Sequence, residues 1–269
     1  MKVQRTGDHE EFAQAVLPFL SRDPVGNTIL LTVIDQLALA PVDNAWFSWV
    51  CVDGDVVGAA LRTPPYGVAL STMEPAVAAA LGKNDDSPGA VGHRDVATAF
   101  AGERSFSVYM DETQYVLTDL LLPAAVPGTA RPYSPGDADL FVRWLADFIT
   151  ETGVTDGDDP LDHLEQRLGS GGAMWFWERD GEPVAMAGRS GPVFGVPRIG
   201  PVWTPPEHRR QGYAAALTAH VCADVLSAVA HACTLFTDAA NATSNGVYRR
   251  LGFEPVGDIV DIRFATDVS

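Results

Sequence analysis

The stretch that decides the fold reads Val202-Trp203-Thr204-Pro205-Pro206-Glu207-His208-Arg209-Arg210-Gln211-Gly212-Tyr213-Ala214-Ala215. An apolar strand is predicted to end at Thr204, the two prolines enforce a turn, and a helix of small residues begins near Gln211. The first turn of a helix carries backbone N–H groups without intrahelical partners and the positive end of the helix dipole. Because Gly212 and Ala214 keep this end free of bulk, the stretch predicts a binding site for a phosphate group.

Two arginines stand at this predicted helix start, in a chain that has 18 Lys+Arg against 35 Asp+Glu. Arg209 and Arg210 oppose the helix dipole there, which costs stability unless an anion is bound. An anion site is therefore favoured over the alternative, which is a surface helix with an arginine-rich first turn.

A second polar segment follows further along the chain. The predicted strand at 233–238 leads into Asn241-Ala242-Thr243-Ser244-Asn245-Gly246-Val247-Tyr248-Arg249-Arg250-Leu251-Gly252-Phe253. The two segments resemble signatures of the GNAT superfamily of N-acetyltransferases. The first fits (Arg/Gln)-x-x-Gly-x-(Gly/Ala), and the second is similar to Asn-x-x-Ser-x-x-x-Tyr-x-x-x-Gly-Phe. Their order and separation strengthen the resemblance, which covers roughly residues 131–269 and, more faintly, the N-terminal half.

The resemblance implies an α/β fold, with a mixed sheet flanked by helices, and acetyl-CoA as cosubstrate. It also implies that the backbone N–H groups of Arg210 to Ala215 bind the pyrophosphate. The strand at Val202 to Thr204 would pair with the pantetheine arm, beside a neighbouring strand that splays away. Asn241 and Asn245 would bind the pantetheine or nearby backbone, although capping of the next helix explains both residues equally well. The implied cofactor-binding residues are Val202, Trp203, Thr204, Arg209, Arg210, Gln211, Gly212, Tyr213, Ala214, Ala215, Asn241 and Asn245.

Tyr248 is the residue to which the resemblance gives a chemical role. The family transfers the acyl group by direct attack of an amine on the thioester, without a covalent enzyme intermediate. A phenol with a pKa of about 10 is able to protonate the departing thiolate, so we expect Tyr248 to be the general acid. A strand N–H near Trp203 would stabilise the oxyanion. The alternative for Tyr248 is a helix residue that packs on the sheet.

No motif identifies the general base that takes a proton from the ammonium group of the acceptor. Glu178 and Asp238 lie at or near predicted strand ends. A carboxylate at such a place, or an ordered water, is suited to that task. Both residues are also typical of hairpins and turns, and this alternative is favoured.

Residues 151–165, ETGVTDGDDPLDHLE, carry six acids and no Lys or Arg. In the family, the connection between the first two helices lines the acceptor pocket. The acids at Asp156, Asp158 and Asp159 are therefore hypothesised to attract a cationic amine, such as a polyamine-like or amino-sugar compound. A solvated loop in which Asp158 or Asp159 caps the next helix is the favoured alternative.

The chain also carries an internal repeat. Residues 7–20, GDHEEFAQAVLPFL, match 136–149, GDADLFVRWLADFI, at an offset of 129. Residues 46–62, WFSWVCVDGDVVGAALR, resemble 173–189, AMWFWERDGEPVAMAGR, at an offset of 127. The first pair is typical of a helix behind a capping Asp, and the second of a β-hairpin whose Asp-Gly turn requires positive φ angles. Two matches in the same order indicate a duplicated α/β unit, with chance similarity of two common patterns as the alternative.

A domain boundary is predicted in the Pro- and Gly-rich stretch 121–138. It gives a degenerate N-terminal GNAT-like domain at 1–125 and a catalytic GNAT domain at 131–269. The first-copy segment set against the phosphate loop, ALGKNDDSPGAVG, lacks the motif and carries two Asp. This copy is therefore not expected to bind CoA in the same way, but to close the acceptor site or to support the sheet. In the second copy, helices are predicted near 136–152, 161–168, 211–230 and 242–251, and strands near 173–179, 183–190, 197–204, 233–238 and 255–264.

Composition excludes several classes of protein. The formal net charge of −17 and the pI of about 4.5 argue against a general binder of nucleic acid or anionic membranes. Cys51, Cys222 and Cys233 form no CxxC pair, and with six scattered histidines they offer no metal site. The first residues lack the apolar core of a signal peptide, and no apolar run is long enough to span a membrane. We therefore expect a cytoplasmic protein without a metal, either a monomer or a homodimer.

Together these features predict an N-acetyltransferase that transfers an acetyl group from acetyl-CoA to the primary amine of a small molecule. A non-catalytic acyl-CoA sensor, in which the cofactor site survives and the acceptor site is closed, is the alternative from another class. A different acyl-CoA donor also stays open, because neither motif fixes the length of the acyl chain.

Overall fold

The structure is a computed structural model that describes residues 1–154 and 160–265. The first half contains β1 (Lys2–Thr6), α1 (His9–Leu20), α2 (Thr28–Leu39), β2 (Trp46–Val52), β3 (Asp55–Arg62), β4 (Val68–Leu70), α3 (Pro75–Gly82), β5 (Gly89–His93), α4 (Arg94–Ala101) and β6 (Phe106–Leu117). The second half contains β7 (Thr129–Pro132), α5 (Ala138–Thr152), α6 (Pro160–Gly169), β8 (Ala173–Arg179), β9 (Glu182–Arg189), β10 (Ile199–Trp203), α7 (Tyr213–Ala228), β11 (Cys233–Asp238), α8 (Ala242–Arg250) and β12 (Glu254–Phe264).

The two halves repeat one order of elements. Short 3-10 turns aside, each half runs strand, helix, helix, three strands, helix, strand, helix, strand. The hairpin β2–β3 corresponds to β8–β9, and the helix α1 corresponds to α5, as the repeated sequence predicted. The mixed α/β fold class is confirmed, and the order of elements agrees with a duplication.

The predicted Asp-Gly hairpins are confirmed in both halves. In the first, φ is 53° at Asp53 and 98° at Gly54, and in the second, φ is 52° at Asp180 and 84° at Gly181. Positive φ at both central residues is the geometry of the tight turn whose twist matches that of the flanking strands. The sequence pair Asp-Gly therefore fixes both hairpins locally.

One predicted helix starts later than expected. The helix expected from near Gln211 to about Ala230 is α7, which begins at Tyr213 and ends at Ala228. The reason lies in the backbone before it, where φ is 61° at Arg210 and 87° at Gly212. These left-handed angles cannot belong to a right-handed helix, so residues before Tyr213 form a turn instead.

The described chain forms two compact units. Among the described residues, unit 1 comprises 1–115, 236–241 and 255–265, and unit 2 comprises 116–154, 160–235 and 242–254. The predicted domains 1–125 and 131–269 are continuous segments that follow the sequence repeat. Each of the two units, by contrast, combines separate segments of the chain. The boundaries of the two continuous domains stay a prediction about the repeat.

Unit 1 holds strands of an eight-stranded sheet with the order β1-β2-β3-β4-β5-β12-β6-β11. The last strand of the chain, β12, lies antiparallel to β5, with Ile259 opposite His93 and Arg263 opposite Gly89. The sheet thus combines β1 to β6 of the first half with β11 and β12 of the second half, and β12 lies between β5 and β6. The helices α3 and α4 pack together on this sheet, and their apolar residues join a core with strand residues such as Val50, Leu70 and Ile262.

Unit 2 is built on a four-stranded antiparallel sheet with the order β10-β9-β8-β7. One face of this sheet is covered by α5, whose buried residues Phe141, Trp144 and Leu145 pack with strand residues. The helix α7 packs on β8, β9 and β10. No helix in the described part of the chain combines the length and the apolar character that crossing a membrane requires.

Arg131 on β7 joins the sheet of unit 2 to the segment that starts α5. Its Nη1 and Nη2 atoms donate to the two carboxylate oxygens of Asp137 at 2.7 and 2.9 Å, and its Nε donates to Glu178 Oε1 at 2.7 Å. The backbone N–H of Ser134 also donates to Asp137, at 2.7 Å. The guanidinium of Arg131 is the main reason why the pKa of Asp137 is lowered from its ordinary 3.8 to about 2.

Replacement of Asp137 with Asn should destabilise the protein at neutral pH by about 1–2 kcal/mol. Because the folded-state pKa lies below the unfolded-state value, the carboxylate stabilises the fold above about pH 4 and loses this effect as pH falls through 2. Urea unfolding followed by tryptophan fluorescence should show a wild-type advantage that shrinks from pH 4 downward. Asp147→Asn, on an exposed position of α5, is the control. A wild-type advantage that stays constant down to pH 2 would contradict the ion pair.

Candidate active site

The strand β10 lies at the edge of the four-stranded sheet. On one side it pairs with β9, with Val202 opposite Ala187 and Trp203 opposite Met186. On the other side, the described residues give it one parallel bridge, between Arg198 and Thr234 at the start of β11. The Thr234 N–H also donates to Pro197 O there, at 3.0 Å. After this bridge, β10 keeps a row of N–H and C=O groups that point away from its sheet.

Pro201 fits this edge position. A proline has no N–H for a ladder of hydrogen bonds, so within sheets it occurs on edge strands and at bulges. The register between β10 and β9 shifts between Ile199 and Val202, which is where Pro201 lies. Arg167 Nη1 donates to Gly200 O at 2.8 Å and holds the strand from the side of α6.

The residues after β10 form a turn in which several backbone N–H groups have no acceptor among the described residues. His208 N–H donates to Pro205 O at 2.9 Å, and the first bond of α7 runs from Ala216 N–H to Gly212 O at 3.0 Å. Between them, the backbone N–H groups of Arg210 to Ala215 have no acceptor among the described residues. These groups, together with the dipole of α7, form a local field that favours an anion.

Gly212 is required at this turn for two reasons. Its φ of 87° lies in the left-handed region, which is strained for residues with a Cβ atom. A Cβ atom there would also lie 2.9 Å from Val126 Cγ1. A larger residue would therefore disturb the backbone that presents the N–H groups.

The two arginines of the motif have different surroundings. Arg209 Nε donates to Thr204 O at 2.9 Å, its Nη2 pairs with Glu151 at 2.7 Å, and its guanidinium lies 4.8 Å from the centre of the Trp203 ring. Arg209 therefore ties the end of β10 to α5, and its charge is shared with an acid. Arg210 is exposed. The role of both residues in cofactor binding stays a prediction.

The structure adds a cation that the sequence motifs did not reveal. Arg179, the last residue of β8, donates from Nη1 to Tyr213 Oη at 2.8 Å and to Gln211 Oε1 at 3.1 Å. The Tyr213 hydroxyl in turn donates to Gln211 Oε1 at 3.0 Å. The sequence places Arg179 beside a hairpin turn, 32 residues before Gln211. The packing of α7 against β8 and β9 is what brings it to the turn at residues 205–212, called the phosphate turn below because the sequence predicts a phosphate there, and no sequence signal marks that packing.

Tyr248 lies on α8 and is 9% exposed. Its ring meets the ring of Phe253 edge-on, with centroids 5.8 Å apart, and its backbone oxygen accepts from the N–H groups of Leu251 and Phe253. Burial, and secondly the neighbouring thiol of Cys222, raise the pKa of Tyr248 to about 12. The phenol therefore keeps its proton throughout the physiological range of pH, as a proton donor must. Both the catalytic role and the packing role are compatible with this position.

The two asparagines of the second motif have different exposures. Asn245, on α8 three residues before Tyr248, is 6% exposed. Asn241 is exposed in front of α8, and its backbone N–H donates to Asp238 O at 3.0 Å. The predicted contacts of both side chains with pantetheine stay predictions.

The two carboxylates considered as general bases have structural partners. Glu178 accepts from Arg131 in the ion pair described above. Asp238 Oδ1 accepts from the backbone N–H of Ala240 at 2.8 Å, which is the contact of a turn residue. Both contacts favour the hairpin-and-turn interpretation. Asp156, Asp158 and Asp159, predicted to attract a cationic amine, lie outside the described residues.

The first half of the chain lacks a phosphate turn, but not where the sequence alignment placed the difference. The segment ALGKNDDSPGAVG covers the end of α3, the following turn and most of β5. By order of elements, the counterpart of the β10–α7 connection is the β4–α3 connection. That connection has four residues, 71–74, whereas the β10–α7 connection has nine, 204–212. The alignment was wrong because this difference in length shifts everything that follows it.

In the short connection of the first half, the N–H groups of Ser71 and Thr72 have acceptors, and Ser71 donates to Ala59 O at 2.9 Å. The Thr72 N–H donates to Asn27 Oδ1 at 2.8 Å, and Pro75 occupies the first position of α3 without an N–H. Asn27 is 2% exposed, so this bond is shielded from water. That the first copy does not bind CoA as the second is predicted to do stays a prediction.

Residues 1–154 and 160–265 contain no group of three or more His, Cys, Asp or Glu side chains that could hold a metal ion. The three cysteines are free thiols. Cys222 and Cys233 are buried and Cys51 is half-buried.

Comparison with protein families gives one match. Residues 140–253 match the model of the Acetyltransferase (GNAT) family. The matched segment includes the phosphate turn, the start of α7 and Tyr248. No curated protein gives a significant match to the sequence.

Solved structures share the fold over nearly the whole chain. An acetyltransferase of the GNAT family from Colwellia psychrerythraea has a TM-score of 0.65 at 11% identity and covers 98% of this chain and 100% of its own. A tandem GNAT protein from the clavulanic acid biosynthesis pathway has a TM-score of 0.60 at 14% identity, with both chains covered to 100%. A GCN5-related N-acetyltransferase from Kribbella flavida has a TM-score of 0.61 at 20% identity and covers 90% of this chain and 96% of its own. At these identities the likeness concerns the fold.

Proposed function

Since residues 140–253 form a domain of the GNAT acetyltransferase family, we propose that the protein transfers an acetyl group from acetyl-CoA to the primary amine of a small molecule. The observation that carries the proposal is the path from the open edge of β10 into the turn before α7. An edge strand offers pairing to an extended chain of amides, and a helix start offers N–H groups to a phosphate. Acetyl-CoA carries both groups in one molecule.

The residues at this site suit the parts of acetyl-CoA. The N–H groups of Arg210 to Ala215 would receive the pyrophosphate, because they have no acceptor among the described residues. The groups of Val202 to Thr204 would pair with the amides of the pantetheine arm, as a peptide adds to a sheet edge. Asn245 would bind the arm from α8, and Asn241 the arm or nearby backbone. The bound cosubstrate supplies the activated thioester.

The protein's part in the reaction is to orient groups and to move protons. The ammonium group of the acceptor first gives a proton to an ordered water or a carboxylate, and the neutral amine attacks the acetyl carbon. An outward N–H of β10 near Trp203 stabilises the negative charge on the carbonyl oxygen. As the carbon–sulfur bond breaks, Tyr248 gives its proton to the sulfur, the nitrogen loses its extra proton to solvent as the amide forms, and Tyr248 later regains a proton from solvent. The products are the acetylated amine and CoA with a free thiol.

A non-catalytic acyl-CoA sensor and a donor with a different acyl chain are the competing functions. Incubation of the protein with acetyl-CoA and a panel of primary amines should release free CoA thiol, measured with a thiol reagent, in step with acetylated product measured by mass spectrometry. Cationic amines belong in the panel because of the predicted role of Asp156, Asp158 and Asp159. Tight CoA binding without thiol release for any amine would favour the sensor. Release of CoA thiol from propionyl-CoA but not from acetyl-CoA would show that the donor carries a longer acyl chain.

Gly212→Glu should weaken CoA binding by at least about 100-fold, because the carboxylate and its bulk stand where the pyrophosphate would lie. It should also lower the free energy of unfolding by about 1 kcal/mol, because of the left-handed backbone. Isothermal titration with CoA measures the first effect and urea unfolding the second. Gly212→Gln shares the strain and the volume, and so isolates the charge. An unchanged affinity for CoA in Gly212→Glu would remove this turn from the cofactor site.

Tyr248→Phe should lower turnover by about 100-fold or more, since it removes the proton donor and keeps the ring. The dissociation constant for acetyl-CoA should stay within about twofold, which separates chemistry from binding. Steady-state kinetics and titration calorimetry provide the two values. Tyr115→Phe, a buried tyrosine of unit 1, is the control and should leave turnover intact. Wild-type turnover in Tyr248→Phe would show that Tyr248 only packs.

A further inference from the structure

The cluster at the end of β8 holds Arg179 in one orientation. Its Nη1 atom is shared between the Tyr213 hydroxyl and the side-chain oxygen of Gln211, at 2.8 and 3.1 Å. Tyr213 is 2% exposed and begins α7, so the hydroxyl is a fixed point beside the phosphate turn. Both partners belong to the segment whose backbone N–H groups are open. The guanidinium is therefore anchored next to these groups by a side chain from another part of the sheet.

Among the described residues, the acid that pairs with Arg179 is an exposed one. Its carboxylate neighbour is Asp180, at 3.4 Å from Nε and with a side chain that is 89% exposed, so water weakens their attraction. Two other arginines of unit 2 have carboxylate partners at shorter distances. Arg209 pairs with Glu151 at 2.7 Å, and Arg131 is held by two carboxylates at 2.7 Å. Arg179 is oriented by neutral groups, and its side chain is 44% exposed.

A positively charged side chain beside the phosphate turn would stabilise a bound pyrophosphate. The chain carries a net charge of −17, so a ligand with several negative charges approaches against the average field. Backbone N–H groups and a helix dipole offset only part of this repulsion, since the dipole is equivalent to about half a charge. A guanidinium adds a full charge and presents several N–H donors in a planar fork that matches phosphate oxygens.

The first half of the chain provides an internal comparison. The repeat offset of 127 sets Arg179 against Val52, the last residue of β2. The half that lacks a phosphate turn therefore also lacks the cation at the end of this strand. The turn and the arginine are present together in one copy and absent together in the other.

We propose that Arg179 binds the pyrophosphate of the acyl-CoA, with Tyr213 and Gln211 as the residues that position it. This inference rests on the proposed function, since it concerns the same cosubstrate. It adds Arg179 to the cations that the sequence motif places at this turn, Arg209 and Arg210. The structure ties Arg209 to Glu151 and Trp203.

The test is calorimetric titration of the full chain without any acceptor amine, so that no turnover is needed. The proteins are wild type, Arg179→Met, Arg179→Lys and Arg143→Met, where Arg143 is an exposed residue of α5 that controls for the loss of one charge. The ligands are CoA, dephospho-CoA, which keeps the pyrophosphate but lacks the 3′-phosphate, and pantetheine, which has no phosphate. Each titration is repeated at low and at high salt.

Arg179→Met should bind CoA and dephospho-CoA about tenfold more weakly than wild type, as expected for one partly exposed charge-assisted contact. Its binding of pantetheine should not change, and its loss of affinity with added salt should be less steep than that of the wild type. Arg179→Lys should recover part of the affinity, and Arg143→Met should stay within about twofold of wild type.

Equal CoA affinity in Arg179→Met and wild type would overturn the inference and leave the proposed function intact. A loss that disappears with dephospho-CoA would also overturn it, because the contact would then be with the 3′-phosphate. If wild type itself does not bind CoA, the proposed function fails and this inference fails with it.

Discussion

Backbone groups must find hydrogen-bond partners, and in the second half of this chain one set of N–H groups has no acceptor among the described residues. β10 meets β11 at a single bridge, and the turn that follows β10 ends in a helix start whose N–H groups are open. Unpaired backbone groups cost free energy when they are buried, and an exposed strand edge promotes aggregation. A ligand that binds to the edge removes both problems. Arg209, Arg210 and Gly212 lie in the turn that follows this edge.

The first half has the same order of elements, but its counterpart of β10, the strand β4, pairs with the next strand, β5. β4 and β5 lie parallel and pair at two positions, Val68 opposite Ala90 and Ala69 opposite Val91. The connection after β4 is short, and Asn27 takes up the N–H of Thr72. The two copies share the order of their elements and differ in these local contacts, and we propose that only the second copy binds acyl-CoA. The strand β12 of the second copy lies in the eight-stranded sheet next to β5, so the first copy also provides the pairing for the end of the chain.

Much of this arrangement could be predicted from sequence because it depends on local chemistry. The Asp-Gly pairs fix both hairpins, the prolines at 205 and 206 end β10, and Gly212 marks the turn through its left-handed backbone. From α5 to β12, the order of helices and strands is the one predicted from sequence, whereas β7 lies inside the predicted boundary 121–138 and was not predicted. The family resemblance at Arg209 to Ala214 is supported by the match over residues 140–253.

The remaining features depend on contacts between distant residues. Nothing in the sequence near Arg179 indicates that α7 brings Tyr213 to it, and nothing near Arg209 shows that Glu151 pairs with it. The placing of β12 beside β5 likewise depends on strand pairing across more than 160 residues. The segment ALGKNDDSPGAVG was aligned with the wrong part of the second copy for a similar reason. The β4–α3 connection is five residues shorter than the β10–α7 connection, and composition does not reveal this difference.

The most direct test of the central claim is a crystal structure of the protein with CoA bound. We expect the pyrophosphate within hydrogen-bond distance of the N–H groups of residues 210–215, and the pantetheine arm extended along β10 at residues 202–204. The thiol should point toward Tyr248. CoA bound at any other place, or at the β4–α3 connection of the first copy, would contradict the claim that the open edge of β10 is the cosubstrate site.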